Sequence, residues 1–126
     1  MDYKHANLTE QIIKCFYKVY RTLGYGFLEK VYENAFAIEL RKIGLHVIQQ
    51  MSIKVNYDGQ IVGDYFADLV VNNLIIIEIK AQEILCPENE AQVLNYLKAT
   101  EFEVALLLNF GKKPEIKRKI FDNELK

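Results

Sequence analysis

The run Leu74-Ile75-Ile76-Ile77-Glu78-Ile79-Lys80 constrains this chain more than any other segment. A strand so apolar has no side to show to water, so it belongs at the centre of a sheet covered on both faces. A second apolar run, Phe102-Glu103-Val104-Ala105-Leu106-Leu107-Leu108-Asn109-Phe110, follows after a helical stretch. Strand, helix and strand in one sheet close as a right-handed crossover, which makes the two runs parallel. Charge nevertheless intrudes here. Glu78 and Lys80 lie on the first run, and Asp68 lies in Ala67-Asp68-Leu69-Val70-Val71 just before it. An unpaired buried charge is costly, so such residues persist where a metal or a substrate compensates them.

The rest of the chain supplies cover for that centre. Ile12, Ile13, Phe16, Val19, Tyr20 and Leu23 follow a 3.6-residue spacing and predict a helix over 8–23, with Asn7 or Thr9 as its cap. Gly24-Tyr25-Gly26 ends it. A second helix is expected over 27–43, with Leu28, Val31, Ala35, Ile38 and Ile43 on its apolar side. A strand over 45–57 and another over 61–71 flank Asp58-Gly59, a hairpin turn signal. Asn72-Asn73 tolerates positive φ and favours a second turn. Pro87 suits the first turn of a third helix over 88–99, where Ala91, Leu94, Leu97 and Lys98 fit one face packed on the sheet with its edge in water. The charged tail, 112–126, is compatible with a short edge strand or helix. The expected order is ααβββαβ, an α/β fold with a mixed sheet flanked by helices in a single domain spanning 1–126.

Bulk properties narrow the function classes. A chain of 126 residues suits one core. A formal net charge of −1 offers no global positive field for coating nucleic acid. The 2 cysteines, Cys15 and Cys86, have no metal-binding spacing and fit a reducing, cytoplasmic setting. No apolar stretch approaches the roughly 18 residues of a membrane span. Met1-Asp2-Tyr3-Lys4-His5 lacks the basic start and apolar run of a secretory signal.

Asp68, Glu78 and Lys80 together point to one chemistry. Two neighbouring carboxylates repel each other and favour a divalent cation between them. Mg²⁺ accepts few protein carboxylates and keeps several waters. Lys80, two residues after Glu78, faces the same side of the strand and can serve a water or a developing phosphate charge. Register decides whether the acids meet. A two-residue turn would set Asp68 against Ile77, whereas a three-residue loop or bulge sets it against Glu78. The second arrangement is expected. Glu29 and Tyr32, one turn apart at the start of the second helix, and Gln92 and Tyr96, neighbours on the third, could complete the site.

With these residues assembled, the chain resembles the GxxExxY proteins, a RecB-like branch of the PD-(D/E)XK nucleases. The naming motif stands as Gly26-Phe27-Leu28-Glu29-Lys30-Val31-Tyr32, and the metal motif as Asp68 with Glu78-Ile79-Lys80. Gln92-Val93-Leu94-Asn95-Tyr96 is similar to the QxxxY motif of RecB-like exonucleases. Ala67 stands where that superfamily often has proline. The resemblance implies a restriction-endonuclease-like core and Mg²⁺- or Mn²⁺-dependent cleavage of nucleic acid, DNA before RNA. It implies metal binding by Glu29, Asp68, Glu78 and the carbonyl of Ile79, water activation by Lys80, and substrate contacts from Tyr32, Gln92 and Tyr96. A homodimer, or a place in a larger repair or defence complex, is compatible with it.

The alternative is a catalytically silent module of the same fold that binds nucleic acid or a protein partner. Individually the residues have bland readings: a strand-end salt bridge for Glu78 and Lys80, a capping role for Asp68, a helix-dipole contact for Glu29. The basic stretch Lys112, Lys113, Lys117, Arg118 and Lys119 reads equally as a phosphate contact or a solvated tail. His5 and His46 form no metal pair by spacing.

Overall fold

A computed structural model describes residues 4–126. Met1–Tyr3, most of the start expected to carry no secretory signal, lie outside the described residues. The elements are α1 (Ala6–Leu23), α2 (Glu29–Lys42), β1 (Val47–Tyr57), β2 (Gln60–Val71), β3 (Ile75–Lys80), α3 (Pro87–Lys98), β4 (Val104–Phe110) and β5 (Pro114–Ile120), then one 3₁₀ turn at Asn123–Leu125. The five strands lie in the order β1-β2-β3-β4-β5. Only β3 and β4 run parallel, and the other neighbours are antiparallel. This is a restriction-endonuclease-like α/β fold.

The sheet divides two cores. Ile75, Ile77 and Ile79 pack with Leu106 and Leu108 beneath Ile12, Phe16 and Val19 of α1 and Phe36 and Leu40 of α2. On the opposite face Val70, Ile76, Ala105 and Leu107 meet Val93, Tyr96 and Leu97 of α3. Helices on both faces explain why β3 and β4 carry almost no polar residue.

Four expectations change. The order is ααβββαββ rather than ααβββαβ, because the tail supplies an edge strand, Val104↔Ile120 to Phe110↔Pro114. Its Pro114 start and its lysines suit an edge, where unpaired backbone must be shielded from other strands. Helix α1 starts at Ala6, with His5 as its cap at φ 56° and no side-chain cap, so Asn7 and Thr9 lie inside it. Helix α2 is rotated from the expected face. Tyr32, Phe36, Ala37 and Leu40 are buried, while Leu28, Val31, Ile38 and Ile43 are exposed. The aromatic rings decide this. Tyr32 stacks on Phe110 at 4.2 Å and 13°, and Phe36 meets the same ring edge-on. In α3 the buried residues are Val93, Tyr96 and Leu97, and Ala91 is exposed.

The turn from β3 toward α3 is fastened to the end of β4. The Asn109 carboxamide accepts the Gln82 N–H at 3.0 Å and donates to the Gln82 carbonyl at 2.9 Å. Gly111 follows, and a Cβ there would run into that carbonyl. Gly111→Ala should therefore cost about 1–3 kcal/mol by overpacking. That corresponds to a fall of about 5–10 °C in Tm. An alanine variant melting with the wild type would mean that the Gln82 turn yields freely.

Candidate active site

β2 and β3 are joined by the three-residue loop Asn72-Asn73-Leu74, with pairs Val71↔Ile75, Val70↔Ile76 and Leu69↔Ile77. Asn72 and Asn73 take φ of 51° and 53°, a conformation asparagine tolerates. One further step of this register sets Asp68 against Glu78. There the side chains take over the hydrogen bonds of the ladder. The Asp68 N–H donates to Glu78 Oε1 at 3.2 Å, and the Ile79 N–H donates to Asp68 Oδ2 at 2.8 Å. Beyond this point β3 continues beside β4 as far as Lys80↔Asn109. The two carboxylates thus lock each other at a fork in the sheet.

The outer hairpin changes phase at the same level. On β1, Ile48 and then Met51 and Ile53 pack toward α3, and on β2, Val70 and then Ala67 do so. The alternation slips by one residue on each strand: the ladder skips Gln50 and Asp68, and the same register resumes beyond them, Gln49↔Leu69 and then Met51↔Ala67. Gln50 lies in the slip with φ 57°. For a non-glycine residue in a strand this is strained backbone, of a kind that concentrates at functional sites. Its amide donates to Asp68 Oδ1 at 3.2 Å and to Glu33 Oε1 at 2.7 Å.

Glu33 is therefore tied to the fork, and sequence reasoning missed it. It is buried on α2, and Gln49 and Lys30 also donate to it. The signal that could have found it is its place beside Tyr32, Phe36 and Leu40 on the stripe that faces the sheet. Glu29, one turn earlier, is exposed, and among the described residues no hydrogen bond joins it to Asp68 or Glu78. Tyr32 lies in the core. Its hydroxyl donates to the Gly24 carbonyl at 2.6 Å and accepts the Phe27 N–H at 3.2 Å. Its observed work is to clamp the Gly24–Phe27 loop.

Electrostatics single out Glu78. The residue is 4 % exposed. Burial pushes its carboxyl up to about 9, the Asp68 charge pushes the same way, and Lys80 opposes them. Left to itself such a group keeps its proton at neutral pH. Tyr96, on α3, is raised to about 12 by burial and by the charges of Glu78 and Asp68, so it borders the pair. Gln92 lies one turn before Tyr96 on α3, and both line a cleft of about 780 Å³ between α3 and the outer hairpin.

A divalent cation fits this donor set. Two carboxylates face one another, and one is too desolvated to ionise without a positive neighbour. Among the described residues no three acidic, histidine or cysteine groups cluster as a metal cage. The donors the fork could offer such a cation are Asp68, Glu78 and a backbone carbonyl such as that of Ile79, a sparse oxygen set that would leave the rest of the shell to water and would suit a hard cation.

A family model described as the PD-(D/E)XK nuclease superfamily matches residues 6–119. No curated protein and no solved structure matches the chain. Among the described residues no helix is long and apolar enough to cross a membrane.

Proposed function

Because the chain belongs to the PD-(D/E)XK nuclease superfamily, we propose that it hydrolyses phosphodiester bonds of nucleic acid, DNA before RNA, with Mg²⁺ or Mn²⁺. The observation that carries this reading is the fork, where Asp68 and Glu78 are interlocked through each other's strand in an apolar setting. Asp68, Glu78 and the Ile79 carbonyl would hold the cation. Bound there, it would polarise the phosphodiester and lower the pKa of water.

The protein's own groups do the rest. Lys80 follows Glu78 on the same side of β3, close enough for its charge to act on that carboxyl. It would orient the attacking water and offset charge developing on the phosphate. Glu33, through Gln50, would keep Asp68 turned toward Glu78. Gln92 and Tyr96 would contact substrate beside the scissile bond. The resemblance to GxxExxY and RecB-like proteins supports the same reading.

Thermal unfolding with and without Mn²⁺ tests the site before any substrate is known. Wild type should gain stability in proportion to RT ln(1 + [Mn²⁺]/Kd), about 2.7 kcal/mol at a hundredfold excess over Kd. Glu78→Ala should show no such gain. An equal rise in both proteins would place the bound ion elsewhere. No rise in either, together with no cleavage, would favour the silent binding module.

A further inference from the structure

We infer that the cleft between α3 and the outer β1–β2 hairpin holds an unpaired nucleobase next to the scissile phosphate, which makes single-stranded nucleic acid the substrate class. The inference rests on the nuclease reading and deepens it. The cleft has a volume of about 780 Å³, within the ordinary range of ligand sites. Val55, Asn56 and Tyr65 form one wall, and Gln92, Asn95 and Tyr96 the other. Tyr96 belongs to both places, lining the cleft and lying within reach of the Asp68 and Glu78 charges. A strand whose phosphate meets the fork therefore lays its neighbouring base into the cleft.

The lining chemistry suits a base better than a phosphate. Three carboxamides, on Asn56, Gln92 and Asn95, offer donors and acceptors without charge. Glu88 and Lys98 are the charged residues along the cleft, one of each sign, and Lys98 already lies over the Phe121 ring at 5.6 Å. No cationic cradle results. Tyr65 is 50 % exposed and tilts against Tyr96 with ring centres 6.0 Å apart. The exposed part of this ring can serve as a stacking platform, and stacking on an aromatic side chain needs a base that has left its own stack. The phase slip at Gln50 and Asp68 puts this ring here. Without it Tyr65 would stand on the α1 and α2 side of the sheet. A net charge of −1 agrees, since duplex binding without base access depends on many cationic phosphate contacts.

The test measures fluorescence anisotropy of labelled oligodeoxynucleotides on the full chain, with Ca²⁺ in place of Mg²⁺ to hold back cleavage. Wild type should bind a single strand at least about tenfold more tightly than a blunt duplex of the same sequence. Tyr65→Ala should weaken single-strand binding by roughly 5- to 100-fold, leave duplex binding unchanged and abolish quenching of a 2-aminopurine in the strand. Tyr65→Phe should retain the wild-type values. Asn95→Ala, at an exposed position, should weaken single-strand binding a few-fold and serves if Tyr65→Ala does not fold. Equal binding of the two forms, or unchanged binding by Tyr65→Ala or by Asn95→Ala standing in for it, overturns the inference. If Mn²⁺-linked stabilisation and duplex cleavage persist in that case, the nuclease reading stands alone. If they are absent too, both fall.

Discussion

Glu78→Ala should lower divalent-dependent cleavage of nucleic acid by about a thousandfold or more, the loss expected when several kcal/mol of charge stabilisation are removed from a transition state. Lys80→Ala should also lose cleavage, by about a hundred- to a thousandfold. The two variants should part company in metal binding. Lys80→Ala keeps both carboxylates and should retain the Mn²⁺-linked rise in Tm, whereas Glu78→Ala should lose it. The fold should survive both changes. Removing Glu78 leaves the Asp68 N–H without its acceptor at 3.2 Å, a loss of about 1 kcal/mol. It also removes a carboxyl that burial disfavours in its charged form. Purified variants that cleave as fast as wild type would trace the activity to a contaminant. A Lys80→Ala variant that loses metal binding along with activity would make the lysine a support for the carboxylates rather than a participant at the phosphate.

The centre of this fold is legible because its physics is local. Ile75 to Ile79 and Val104 to Leu108 have no polar alternation, so two faces must be covered, and the helix between them dictates parallel pairing. Asp58-Gly59 and Asn72-Asn73 are equally plain, since few other residues accept positive φ; the structure gives 52° and 76° at the first pair. What escapes is set by tertiary contacts. Leu28, Val31 and Ile38, at the start of α2 and along it, make as good an apolar stripe as Tyr32, Phe36 and Leu40, and tertiary partners such as Phe110 and Phe16 choose between them. That choice buries Glu33 and leaves Glu29 in water. The slip at Gln50 is less legible still. Glutamine is no indicator of φ 57°, and a two-residue alternation read across Ile48 and Ile53 cannot reveal a change of phase between them. The acid pair itself was readable because charge in an apolar strand is conspicuous. The bridge that holds it was not, because Gln50 and Glu33 are ordinary residues in ordinary places until the backbone turns them toward Asp68.

The pH dependence of stability should expose Glu78 directly, without substrate. Its carboxyl is pushed up to about 9 in the folded protein, against the ordinary 4.5 of a solvated glutamate in the unfolded chain. Between those values the folded state binds more protons than the unfolded one, so metal-free stability falls as pH rises through the window. By pH 8, about 3.5 units above the unfolded value, the loss should reach about 4–5 kcal/mol. The lowered carboxyls, Glu39, Asp64, Glu88, Glu90 and Glu103, work in the opposite direction but only at acid pH, because their contributions vanish as pH drops toward their folded pKa. Between pH 6 and 8 Glu78 therefore dominates the trend, and the Cys15 thiol, raised by burial, adds to it only as pH approaches 9. Glu78→Gln keeps an acceptor for the Asp68 N–H and removes the titration. In denaturant melts it should be flat across this interval and more stable than wild type at its upper end. Mn²⁺ should reverse the wild-type trend, since a cation competes with the proton for Glu78 and binds better as pH rises. A wild-type profile as flat as that of the glutamine variant would mean that Glu78 is ionised in the free protein, with water or Lys80 reaching it more fully than its burial allows.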